Sequence, residues 1–199
     1  MDKTPVTSTK SNEWFTPAKY IEAARAVMGG IDLDPASCEL ANKTVKAAKY
    51  YTKNDNGLTY PWYGRVWLNP PYGRIHNSGA SVIRMFITKL VDEYKIGSVK
   101  QAILLTTVQT NSTWFQLLWN YPLCFTSHRV AFLKPINGII EPDSRTSHTL
   151  GTALAYLGPN ITRFVEHFTA FGPVVTPDGV HRRPASVTQP SLFDTEHTA

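Results

Sequence analysis

Cysteine is scarce: the 199 residues hold two, Cys38 and Cys124, in unrelated surroundings. They make neither a disulfide framework nor a metal-ligand spacing, so a reducing cytoplasm is the expected setting. His128, His148 and His167 lack ligand spacing too, and no metal centre is expected. No run approaches the ~18 apolar residues that a membrane span needs. The opening MDKTPVTSTKSNEWF lacks the apolar stretch of a secretory signal. No segment repeats. The scarcest thing is acid in the middle of the chain. Residues 61–136 carry eight Lys and Arg but only Asp92 and Glu93, a net +6, whereas 1–60 sum to +1 and 137–199 to −2. A polyanion-binding face requires such a bias, although ordinary solvated helix faces produce the same count.

What is present reads as one domain. Residues 1–12 are a Thr/Ser/Lys-rich lead, 13–175 the folded part, and 176–199 a Pro/Ser/Thr-rich tail expected to be flexible. Thr16 and Pro17 suit an N-cap and first turn, followed by Tyr20, Ile21, Ala24, Val27 and Met28 at helical spacing up to Gly29-Gly30. Ile31–Leu33 and Val66–Leu68 read as strands, and so does the apolar run Ala102–Leu105. Helices are expected at about 39–48, 79–94, 112–119 and 160–168. Arg129–Leu133 and Thr152–Leu157 suggest two more strands around a long loop, Lys134 to Thr149. The alternation implies an α/β fold, a mixed sheet with helices on both faces.

Two turns follow directly on predicted strands, where ligands bind in such sheets. One is Asp34-Pro35-Ala36-Ser37. The other is Asn69-Pro70-Pro71-Tyr72, whose prolines and Gly73 forbid any continuation of strand or helix. The Asn69 carboxamide oxygen and the Pro70 carbonyl are two acceptors on a stiff turn. They suit both hydrogens of a planar exocyclic amine, and Tyr72 offers a face on which its ring can stack. Two acceptors would draw such an amine toward tetrahedral geometry and localise its lone pair for attack. The methyl group of S-adenosylmethionine is the electrophile that suits this arrangement. Read alone, the turn leaves adenine, cytosine and a protein glutamine side chain all open as acceptors.

From Glu13-Trp14-Phe15-Thr16-Pro17, through Leu33–Ser37, Lys49-Tyr50-Tyr51-Thr52 and Asp55-Asn56-Gly57-Leu58, to Gly64–Gly73, the chain resembles the phage-type DNA N6-adenine methyltransferases, often called Dam-like. The resemblance covers about residues 13–172, and Trp67–Tyr72 is its most specific block. It implies a single Rossmann-like domain in a phage- or prophage-encoded enzyme that transfers methyl from S-adenosylmethionine to a flipped-out adenine in double-stranded DNA. It also implies cofactor roles. Thr16 and Pro17 would lie near the methionine carboxylate, Asp34 by the amino group with Asp32, Pro35 and Ala36 about it, and Asp55 by the adenine. One departure is plain: no Gly-x-Gly follows Asp34, where Cys38-Glu39 stand instead, and the elements between Asp34 and Asn69 must be short.

The basic segment supplies the expected phosphate contacts, Arg65, Arg74, Arg129 and Lys134. Sequence reading would fall to loops, chiefly 74–81, 108–113 and 135–149. A protein or RNA amine methyltransferase using the same turn, and a non-catalytic DNA-binding relic of the fold, are the rival readings. In the tail, Gln189-Pro190-Ser191-Leu192-Phe193 is similar to the short peptides that grip bacterial sliding clamps, with Leu192 and Phe193 filling a pocket and Gln189 at its edge.

Overall fold

The apolar spacing that opens the folded part becomes the buried face of helix α1 (Ala18–Met28) in a computed structural model describing residues 14–74, 79–136, 139–142, 151–176 and 178–181. Tyr20, Ile21, Ala24, Val27 and Met28 all lie inside. Gly29 ends the helix in the left-handed region, its N–H on the Arg25 carbonyl. Thr16 is not the N-cap that its type suggests. Pro17 takes that position with no side-chain bond, and the Thr16 hydroxyl serves a different partner.

The chain then runs through β1 (Leu33–Asp34), α2 (Glu39–Val45), β2 (Lys49–Tyr50), β3 (Gly64–Leu68), α3 (Val82–Lys95), β4 (Val99–Thr107) and α4 (Thr113–Gln116). It continues with β5 (Leu123–Phe125), β6 (Leu133–Ile136), β7 (Ile139–Pro142), β8 (Thr152–Leu157), α5 (Ile161–Phe168), β9 (Val174–Thr176) and β10 (Gly179–His181). One sheet has the order β10-β9-β5-β8-β4-β3-β1-β2, and β6 with β7 makes a separate hairpin. Strands β2, β1, β3 and β4 are parallel, while every pairing from β4·β8 to β9·β10 is antiparallel.

Strand alternation sorts the core into two layers. Trp67, Ile103, Leu105, Leu154 and Tyr156 face α1 and α5. Val66, Leu68, Ala102, Leu104, Ala155 and Leu157 face α3 and α4. Helices therefore cover both faces of a mixed sheet, the α/β class expected from the alternation. No helix among the described residues is long and apolar enough to cross a membrane.

Three segments differ from the pattern reading. Of Arg129–Leu133 only Leu133 is in a strand, and the expected loop after it begins as the β6–β7 hairpin. Strand β5, three residues between Pro122 and Thr126, carried no periodic signal but lies between β8 and β9. Val174–Thr176 and Gly179–His181 pair with each other, so the sheet continues into what composition marks as tail.

A single ion pair ties β1 to β3. The Asp32 carboxylate accepts from Arg65 three times: Nε at 2.9 Å, NH2 at 2.7 Å and the backbone N–H at 2.8 Å. The Arg65 guanidinium holds the Asp32 carboxyl below the usual carboxylate range. Gly64 makes the approach possible. It sits at φ +66°, and a Cβ there would meet Asp32 Oδ2 at 2.5 Å. These bonds lie at the amino ends of the strands, a strand's length from Asn69. Asp32 and Arg65, expected to meet cofactor and phosphate respectively, thus have each other as partners at the far end of the sheet. Truncation of Arg65 to Ala should lower the unfolding free energy by about 1–2 kcal/mol, given a pair left partly in solvent. Gly64→Ala should cost more, because the new methyl displaces the carboxylate. Urea denaturation of the two variants checks both values.

Candidate active site

The sheet changes direction between β1 and β3. From β1 the chain moves outward to β2, then returns to the other side of β1 as β3. A crevice forms outside the carboxyl ends of strands at such a point. Asp34 closes β1 and Asn69 follows β3, so both unusual turns meet the crevice on neighbouring strands.

The β1 turn is braced from the β2 side. Ser37 N–H reaches the Tyr51 carbonyl at 2.9 Å, and Tyr51 N–H reaches that of Asp34 at 3.0 Å. Gly57 packs so tightly on the Pro35 carbonyl that no Cβ fits between them. That contact brings the Thr52–Gly57 loop against buried Pro35 and half-buried Ala36. Asp55 closes its own turn: Oδ2 accepts from the Thr52 N–H and hydroxyl, both at 2.7 Å, and these bonds pull its pKa down. The carboxylate is otherwise exposed.

Asp34 is the electrostatic anomaly. It is 3% exposed, accepts from the Ala36 N–H at 3.2 Å, and pairs with no cation among the described residues. Burial pushes its carboxyl up to about 6, against the opposing help of the Ser37 hydroxyl and the Ala36 amide.

The Asn69–Tyr72 turn is held from two other elements. Asn69 Nδ2 donates to the Trp14 carbonyl and to Thr16 Oγ1, each at 3.3 Å. Tyr72 is 42% exposed, yet its hydroxyl end is enclosed and accepts from the Thr107 N–H at 3.1 Å. Burial raises the pKa of that hydroxyl. The ring is therefore fixed at one end and open on its face. Pro70 is buried, and Pro71 is exposed.

Thr16, Asn69 and Tyr72 thus come to one place, with Pro17 beside Thr16 at the head of α1. Lys134 joins them, its Nζ 3.8 Å from the centre of the Trp14 ring. Arg74 lies at the mouth, exposed, with its guanidinium on the Gly79 carbonyl at 3.1 Å. Arg129 is also exposed, in the irregular segment before β6. A groove of about 1110 Å³ lies along α3, lined by Arg74, Arg84, Lys89, Asp92, Glu93 and Trp114 among others, and by none of residues 69–73. No His, Cys, Asp and Glu group that could hold a metal occurs among the described residues. Gln189, Leu192 and Phe193 lie outside them. Sequence reasoning missed the Trp14 carbonyl and the Thr107 amide. Both are backbone groups, which no side-chain motif announces.

The raised Asp34 carboxyl has a consequence for stability. Its folded pKa exceeds the unfolded value near 3.9, so the native state binds the extra proton between about pH 4 and 6. Stability therefore falls as pH rises through that window, by about 3 kcal/mol for a shift of this size. Asp34→Asn should be more stable than the unsubstituted protein at pH 7 by up to that amount, and equal to it below pH 4. Denaturation curves at pH 3.5, 5 and 7 check the sign.

Comparisons with known proteins name a family for the chain. Residues 3–152 match the family model for DNA N-6-adenine-methyltransferase (Dam). A DNA N-6-adenine-methyltransferase of Escherichia phage T1 is 30% identical over 105 residues, which is 51% of this chain and 38% of that relative. The match thus spans under half of the relative's length. With its Asn-Pro-Pro-Tyr turn held at the switch point of the sheet, the chain belongs to the DNA N-6-adenine-methyltransferase (Dam) family.

Proposed function

We propose that the chain methylates adenine N6 in double-stranded DNA, taking the methyl group from S-adenosylmethionine in a Rossmann-like domain. The observation that carries this reading is the Asn69 amide. Both hydrogens of Nδ2 are taken by protein acceptors, which leaves Oδ1, beside the Pro70 carbonyl, to accept from a substrate amine. Family membership supports adenine in DNA over the other amines that the turn alone permits.

The residues present fit the cofactor. A buried carboxylate with no cation, as at Asp34, complements an ammonium group, and a bound cation would favour its ionised form. S-adenosylmethionine, when bound, supplies an electrophilic methyl group on positively charged sulfur. Asp34 would hold its amino group, with Pro35 and Ala36 forming the wall beside it. Pro17 and the Thr16 backbone would stand near its carboxylate, the Thr16 hydroxyl being engaged by Asn69, and the exposed Asp55 would accept from its adenine. Asp32 has no part in this scheme, because its carboxylate is committed to Arg65.

The target adenine must leave the duplex to reach Tyr72, at a cost of a few kcal/mol in lost stacking. Tyr72 would stack on it. Asn69 Oδ1 and the Pro70 carbonyl would each accept one amine hydrogen, lending the nitrogen lone pair to attack. Neither group is basic enough to keep the proton lost on methylation, which would pass to water. Arg74, Arg129 and Lys134 would meet phosphates, and the β6–β7 hairpin, with the segments about 74–81 and 108–113, would read sequence. The setting would be the cytoplasm of a bacterial cell carrying the phage.

Transfer of labelled methyl to duplex DNA, compared with RNA and protein, tests the reading. Label on RNA or protein alone, or no transfer at all, would overturn it. Within that assay, Asn69→Ala should lose about 2.7–4 kcal/mol of transition-state stabilisation, or more, with cofactor affinity nearly unchanged. Tyr72→Phe should keep most of the rate, since stacking needs only the ring, and lose a little through the freed Thr107 N–H. Wild-type turnover by Asn69→Ala would sink the mechanism.

DNA affinity should fall steeply with salt, with a slope of about −0.9 per phosphate neutralised. Arg74→Ala, Arg129→Ala and Lys134→Ala should each reduce that slope by roughly one, whereas Arg65→Ala should leave it unchanged. Isothermal titration or fluorescence anisotropy at four salt concentrations separates the two groups.

A further inference from the structure

We infer that Thr16 is a positioning residue: its hydroxyl, with the Trp14 carbonyl, locks the Asn69 amide in the orientation that presents Oδ1 to the substrate amine. The inference rests on the adenine-methyltransferase reading and adds a residue to it. A carboxamide can turn end for end with little change of shape, and only one of its two ends accepts. An unheld Asn69 would offer Nδ2 to the substrate amine for part of the time, donor against donor.

The Trp14 carbonyl settles the choice. It has no hydrogen, so it tolerates Nδ2 at 3.3 Å and would repel Oδ1. Thr16 takes the second Nδ2 hydrogen, also at 3.3 Å. Its hydroxyl is available because α1 makes no side-chain cap through it, and because the residue is buried away from competing water. The two acceptors sit two residues apart, with Phe15 between them, on a backbone that is itself pinned. Phe15 N–H bonds the Leu133 carbonyl at 2.9 Å, and Leu133 N–H returns to the Phe15 carbonyl at 2.9 Å. The Trp14 ring packs edge-on against Phe132 at 6.2 Å, with Lys134 over its face. The amide is therefore anchored through residues 14–16 to the start of the β6–β7 hairpin, and not by its own turn alone.

This role differs from that of a plain cofactor contact, and kinetics separate the two. Thr16→Val keeps the shape of the side chain and removes the acceptor. At saturating S-adenosylmethionine and oligonucleotide its kcat should fall about tenfold, the worth of one positioning hydrogen bond. The KM for cofactor and the Kd for DNA should stay within a factor of two. Thr16→Ser should restore kcat. A loss confined to cofactor KM, or an unchanged kcat in Thr16→Val, would overturn the inference.

Two further measurements keep it decidable. The Asn69 side-chain amide signal, assigned by its disappearance in Asn69→Asp, should show slow hydrogen exchange in the unsubstituted protein and faster exchange in Thr16→Val. Equal exchange in both would overturn the lock. That readout needs no turnover, so a protein that transfers no methyl to DNA would defeat the methyltransferase reading while the orientation is still judged. Asn69→Asp keeps the shape of the side chain but replaces Nδ2 by a second oxygen, which sets a carboxylate against the Trp14 carbonyl. It should be inactive at pH 8 and recover part of its activity as lower pH supplies the carboxyl with a hydrogen to donate. Full activity of Asn69→Asp at pH 8 would refute the requirement for a donor at this position.

Discussion

The parallel pairing of β1 with β3 is the constraint on which the site depends. Its ladder is minimal, with β1 only two residues long and Leu33 opposite Val66 as the registered pair. So short a strand has little backbone bonding with which to resist a slip, and a one-residue slip would send Asp34 to the wrong face. The Asp32–Arg65 bond supplies what the ladder lacks. It joins carboxylate to guanidinium and backbone in one geometry, through bidentate bonds that fix distance and angle together. Held at their amino ends, β1 and β3 bring Asp34 and Asn69 to the carboxyl ends of neighbouring strands. The pair never approaches the crevice, yet the crevice has its shape because of it.

Much of this fold was legible because long, strongly periodic segments bury one face. Tyr20 to Met28, the run in β4 and Thr152–Leu157 all fall where their patterns place them. Strands β5, β9 and β10 were not legible, because three residues cannot display a period and their apolar character is supplied by neighbours. The Arg129–Leu133 reading failed for a related reason. Val130 and Phe132 are buried against the α1 layer without any strand pairing, so alternation reported burial rather than strand.

The candidate site was legible unevenly. Asn69-Pro70-Pro71-Tyr72 stands out because two prolines after an apolar strand have few structural explanations. Thr16 was noticed, with a capping role that the structure gives to no side chain. Asp32 was placed at the cofactor through the resemblance and Arg65 at phosphate through the charge count, and neither signal says at which end of a strand a residue will lie. Asp55 forms the turn bonds its type favours, in the loop whose Gly57 packs on Pro35.

The polar groups of the crevice are prepared in two opposite ways. Asn69 has its donors satisfied before any substrate arrives, so presenting Oδ1 requires no rearrangement at the moment of reaction. Tyr72 is treated alike, its hydroxyl tied to Thr107 while its ring stays open. Asp34 is left without a cation among the described residues. Its carboxylate is buried without a cation, at a cost that the folded protein carries in the pH range where the group is ionised. A natural core would replace such a group with an apolar one unless something needed the charge. A cationic ligand arriving there would regain the desolvation already spent, and binding would be strongest for the charge the site lacks. On the proposed reading, acceptors set in advance on one strand and a carboxylate without a cation on the next would divide the crevice into a reacting side and a ligand-holding side.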